Sequence, residues 1–121
     1  MSRRQRQIMD VLYQRGASTA AEVRQAMPNP PSYSAVRAML RVLEDKGQVR
    51  HRAEDLRYVY EPTVAPEKAM RTAVKHLLAT FFNHSTEQAV AALLDVSSTE
   101  LTDEELDRMA RLIADAKKEG R

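Results

Sequence analysis

The apolar positions of this chain change their spacing twice. They recur with a helical period as far as residue 46, alternate between 49 and 60, and return to a helical period after 66. Ile8, Val11 and Leu12, with Arg15 on the same stripe, predict a helix over residues 3–15 that Gly16 ends in a left-handed conformation. Thr19-Ala20-Ala21-Glu22 has the spacing of a capping box, so a second helix should start there. It would bury Val23, Ala26 and Met27 and stop at Pro28. Pro28-Asn29-Pro30-Pro31-Ser32 reads as a stiff connector, because three prolines in five residues cannot form helix interior.

A third helix is predicted over 34–46, with Val36, Met39, Leu40 and Leu43 as its inward stripe and Gly47 at its end. The runs Val49-Arg50-His51-Arg52 and Leu56-Arg57-Tyr58-Val59-Tyr60, parted by Ala53-Glu54-Asp55, predict a β-hairpin. Residues 62–66 form a proline-bearing linker, dividing a domain at 1–61 from a helical segment at 67–121. That segment should hold three helices. The first starts near Pro66, and Ser85-Thr86-Glu87-Gln88 and Thr102-Asp103-Glu104-Glu105 are capping boxes for the other two.

Composition then narrows the function. Across 121 residues the net charge is only +2, yet residues 1–60 hold 11 Lys and Arg against 6 acids, whereas 61–121 hold 8 against 11. A basic half joined to an acidic half suggests that the first meets a polyanion. No cysteine is present, which excludes a disulfide framework, a thiolate metal site and a cysteine nucleophile. His51, His76 and His84 match no metal spacing, and neither a Gly-rich phosphate loop nor a nucleophile elbow occurs. An enzyme, a cofactor and a bound metal are therefore not expected. No run of about 18 apolar residues exists and the start is polar and basic, so neither a membrane span nor a signal peptide is expected, and the setting is read as cytoplasmic.

Three helices followed by a hairpin is the layout of a winged helix-turn-helix, giving a mainly α fold with a small β-hairpin and a C-terminal helical arm. In such a layout the third helix enters the major groove of DNA. Its outer positions Ser34, Ala35, Arg37, Ala38 and Arg41 suit base edges: arginine bridges guanine acceptors, and alanine permits close approach. Arg37 and Arg41 are like charges at i and i+4, mildly unfavourable in a free helix, so an anionic partner explains them better than stability does. Ser32 and Tyr33 would stand at the groove entry, Thr19 beside a phosphate, and Arg50, Arg52 and Arg57 on the hairpin against the backbone. The arginines also suit a bland role, guarding an exposed sheet edge. Tyr58 and Tyr60, on one face of their strand, are expected to pack onto helix three.

The arm carries Met70, Val74, Leu77, Leu78, Phe81, Phe82, Val90, Leu93, Leu94, Leu106, Met109, Leu112 and Ile113, more large apolar side chains than three short helices bury among themselves. A homodimer is expected to cover them. Two other readings remain open on composition alone: a protein-interaction adaptor, and a ligand-sensing regulator with a pocket between its halves.

Ser34-Ala35-Val36-Arg37-Ala38-Met39-Leu40, Leu43-Glu44-Asp45-Lys46-Gly47-Gln48-Val49 and Arg57-Tyr58-Val59-Tyr60-Glu61-Pro62 resemble the signature of the penicillinase-repressor (BlaI/MecI) family of bacterial transcription regulators. Ile8-Met9-Asp10-Val11-Leu12-Tyr13 is similar to that family's first helix, with Tyr13 in place of the usual tryptophan. Ala35 replaces the usual threonine, and Ala92-Leu93 stands where penicillin-responsive members carry a cleavable Asn-Phe bond. The resemblance implies a repressor that binds a palindromic operator in double-stranded DNA as a homodimer. It also implies a sensor protease or another inducer-linked protein as a partner.

Overall fold

The computed structural model describes residues 1–120. In chain order its elements are α1 (Arg3–Arg15), β1 (Ser18–Thr19), α2 (Ala20–Ala26), α3 (Tyr33–Asp45), β2 (Val49–Glu54), β3 (Arg57–Pro62), α4 (Pro66–Phe81), α5 (Thr86–Val96) and α6 (Asp103–Lys118). Contacts divide the chain into Met1–Ala73 and Val74–Arg121, a boundary that falls inside α4. No described helix is long and apolar enough to cross a membrane.

In the first unit the caps fix the helix starts. Ser2 and Gln5 form a reciprocal box before α1, and Thr19 and Glu22 form another before α2. α3 begins on Ser32, whose hydroxyl accepts the Ala35 N–H at 3.1 Å. It ends in a Schellman arrangement, with Gln48 N–H donating to Leu43 C=O and Gly47 N–H to Glu44 C=O. Gly47 takes φ 75° there, a conformation that costs a side-chain-bearing residue free energy. Ile8, Leu12, Val23, Val36, Leu40, Leu43 and Val49 are sealed in one core, joined by Met9, Val11, Ala20, Met27 and Tyr60.

Three details differ from the sequence pattern. On α2 Val23 and the following Met27 are buried as expected, but Ala26 is exposed and Ala20 is buried instead. β2 runs two residues further toward the tip than expected, β3 starts one residue later and continues to Pro62, and the turn is Asp55-Leu56 instead of a three-residue connector. A third strand, β1, was not foreseen. It pairs antiparallel with β3, Ser18 opposite Tyr60 and Thr19 opposite Val59, giving the order β1-β3-β2.

The connector between α2 and α3 is held by arginines. Arg4 donates to the carbonyls of Pro28 (2.9 Å) and Asn29 (2.7 Å), and Arg24 Nε donates to that of Pro31 (2.7 Å). These bonds satisfy carbonyls that a proline-rich turn cannot pair through a regular ladder.

In the second unit, α5 starts on Ser85, which accepts the Gln88 N–H at 3.1 Å; only the serine half of the expected box forms. The box of Thr102 and Glu105 is complete, and Asp103, Glu104 and Glu105 complement the positive end of α6. Among the described residues from Val74 onward, Ala89 alone is a buried hydrophobic residue. Phe81, Leu93, Leu112 and Ile113 are exposed by more than half, and Val74, Leu77 and Leu106 by about two-fifths or more.

Candidate nucleic-acid interface

α3 separates its side chains by chemistry. Val36, Leu40 and Leu43 face the core, while Ser34, Arg37, Ala38 and Arg41 are exposed and Ala35 is half-buried. Tyr33 opens the helix with its ring half-exposed. The Arg37 guanidinium lies over that ring, 5.9 Å from its centroid. Among the described residues Arg37, Arg41 and Arg57 form no ion pair, so their charges remain available to an outside anion.

The wing, β2 and β3, has two unlike faces because strand side chains alternate. His51, Tyr58 and Tyr60 point toward α3. His51 Nδ1 donates to the Glu44 carboxylate of α3 at 2.6–2.7 Å, and its ring lies 4.3 Å from that of Tyr58 and 5.8 Å from that of Tyr60. Tyr60 is buried, which pushes its phenol above its ordinary 10.0 despite the opposing pull of Arg37. The expected packing of Tyr60 onto helix three is therefore present, whereas Tyr58 is half-exposed at the edge of that cluster. Between α3 and the wing lie two adjoining clefts, of about 360 and 510 Å³, and Tyr33, Arg37, Tyr58 and Tyr60 border both.

The opposite wing face is internally neutralised. Register sets Arg50 across from Glu61, and Arg50 Nε meets that carboxylate at 3.0 Å. Arg52 reaches Glu61 at 3.3 Å and Glu54 at 3.5 Å. Hydrogen bonding from Arg50 holds the Glu61 carboxyl below its ordinary 4.5, so these pairs weaken only as the solution becomes acidic enough to protonate it. Arg57 differs from both in forming no ion pair, and it borders the smaller cleft beside Arg37 as well as the surface beside Arg52 and Glu54.

The remaining expected residues occupy capping positions. Thr19 Oγ1 accepts the Glu22 N–H at 3.2 Å, and the Glu22 carboxylate accepts the Thr19 N–H at 2.9 Å, which lowers the Glu22 pKa. Thr19 is buried, and its hydroxyl is committed to the cap. Sequence reasoning missed the His51–Glu44 link and the tip residue Leu56. The strand alternation that groups His51 with Tyr58 and Tyr60 was a usable signal for the first.

The sequence matches the family model for the penicillinase repressor over residues 1–115. The chain belongs to the penicillinase repressor family. As a member it is a DNA-binding transcription regulator of winged-helix fold, in a family of regulators and not of enzymes. No curated protein matches the sequence. Among solved structures, a mutant of ZitR from Lactococcus lactis is 18% identical with a TM-score of 0.50, the match covering 100% of this chain and 76% of that one. MepR, a transcription regulator of the Staphylococcus aureus multidrug efflux pump MepA, is 18% identical with a TM-score of 0.51, covering 100% and 81%. Both likenesses are of fold. For this penicillinase-repressor chain they agree with the helix order and wing described above.

Proposed function

We propose that the protein is a homodimeric repressor that places α3 of each protomer in successive major grooves of a palindromic operator. Residues 1–61 form the DNA-binding domain, 62–66 the linker and 67–121 the dimerisation arm. The observation that carries the reading is the outer face of α3, where unpaired Arg37 and Arg41 flank small, exposed Ser34 and Ala38 beside the wing. Two such faces related by a two-fold axis read half-sites about 34 Å apart. Ser32, Tyr33 and Ser34 stand at the groove entry, and Arg57 meets the backbone. The exposed apolar residues of α4, α5 and α6 support the two-fold partner, since a monomer gains nothing by presenting so many to water.

A duplex selected from a random library by the wild-type protein supplies the test. Arg37→Ala should weaken binding to it by about 1–3 kcal/mol and relax selectivity at one position, as loss of a base reader does. Affinity for random duplex should fall steeply between low and moderate salt as counterions return to the phosphates. An affinity indifferent to salt overturns the reading.

The neutralised wing face makes a less obvious prediction. Glu61→Gln releases Arg50 and Arg52 from their shared carboxylate, so binding to duplex of any sequence should tighten and the salt dependence steepen by about one unit of slope per new phosphate contact. Titration at several salt concentrations checks it; an unchanged slope means that face stays away from DNA.

A further inference from the structure

Leu56 is the residue of the first unit that its fold explains least. It is completely exposed, and with Asp55 it makes the two-residue turn at the wing tip, at φ 66° and 49° respectively. Such a turn favours Asn or Asp followed by glycine. Asp55 fits that rule, but leucine at the second place forces a Cβ into a left-handed conformation and buries nothing in return. Strain retained at an exposed tip points to a use outside the chain.

The direction of the side chain narrows that use. Leu56 borders the smaller cleft with Tyr33, Arg37 and Arg57, on the α3 side of the wing. Asp55 borders the other side, with Arg52, Glu54 and also Arg57. The tip therefore turns its apolar side chain toward the side on which the α3 residues Tyr33 and Arg37 lie, and its carboxylate toward the side where Arg52 is already paired with Glu54. A wing that only touched phosphates would gain from a polar or basic tip instead.

Building on the DNA reading above, we propose that Leu56 is an apolar wedge that enters the minor groove beside the half-site and partly unstacks one base step. Apolar side chains inserted in this way kink a duplex, and pyrimidine–purine steps open most readily. Arg57, next in the chain and unpaired, lies where it can neutralise phosphates lining the same groove. Leu56 thus adds a preference for a deformable flanking step to whatever α3 reads directly.

The test uses the full chain and the duplex selected by the wild-type protein. Leu56→Gly and Leu56→Asn accept the left-handed conformation, so both should melt no lower than wild type. Both should nevertheless bind about tenfold more weakly, bend the duplex less by end-to-end energy transfer, and lose discrimination between TA and AA at the flanking step. Leu56→Met, apolar and long, should keep affinity and bend. Wild-type affinity and bending in Leu56→Gly overturn the wedge. If Arg37→Ala abolishes selective binding in the same assay while Leu56→Gly does not, the wedge alone falls. If no duplex is selected at all, the DNA reading falls and the wedge with it.

Discussion

Phe81→Asp or Leu93→Asp is expected to yield a folded chain of 13.7 kDa that no longer binds the operator selectively. Both side chains are exposed by more than half, so neither supports the fold of its own protomer, and circular dichroism should be unchanged. In a two-fold interface each substitution occurs twice and sets carboxylates against apolar surface. Burying such charges without partners costs several kcal/mol each, more than a modest interface returns. In the proposed dimer, selective binding depends on two recognition helices acting together. A monomer should therefore retain little beyond the salt-sensitive, sequence-blind affinity, a loss of about 1,000-fold or more. Sedimentation at micromolar concentration and a gel shift measure the two effects. A variant that still sediments as a dimer would show that the protomers meet elsewhere.

Leu40→Ala is expected to remove about 2–5 kcal/mol of stability, because the side chain is sealed at the middle of α3 and its neighbours can close the cavity only in part. Against a total of about 5–15 kcal/mol that loss is large, and the melting temperature should fall by about 10 °C or more. The contrast with Arg37→Ala is the informative part. Both residues lie on α3, three positions apart, but Leu40 is buried and Arg37 exposed, so the first should lose stability and binding together and the second binding alone. Urea unfolding beside duplex titration separates them. Equal loss of stability in both variants would mean that Arg37 braces the fold.

The long elements were legible because their signals are local and redundant. α1 combines an apolar stripe with a terminal glycine, and α6 combines a complete capping box with three acids in its first turn. β1 escaped notice because two residues carry no period. Thr19 looked like a cap, which it is, and its pairing with Val59 depends on where the chain passes the sheet. The hairpin turn was misplaced because Asp55-Leu56 lacks the glycine that marks such turns. At the candidate site, charge could be counted but not oriented. Arg50, Arg52 and Arg57 look alike in sequence, and register alone does not sort them, since Arg57 faces Glu54 across the ladder as Arg50 faces Glu61. Glu54 meets Arg52 instead, which leaves Arg57 without an ion pair.

The clamp of Arg4 and Arg24 on the turn before α3 has a bearing on how such a regulator diversifies. The pose of the helix is set by side chains from α1 and α2 gripping main-chain carbonyls, none of which belongs to the outward face. Ser34, Arg37, Ala38 and Arg41 hold up nothing behind them. Their identities are thus free to drift without tilting the scaffold, so a duplicated copy could acquire a new operator through a few substitutions at the helix surface. An engineer could take the same route, exchanging those four positions while leaving the frame untouched.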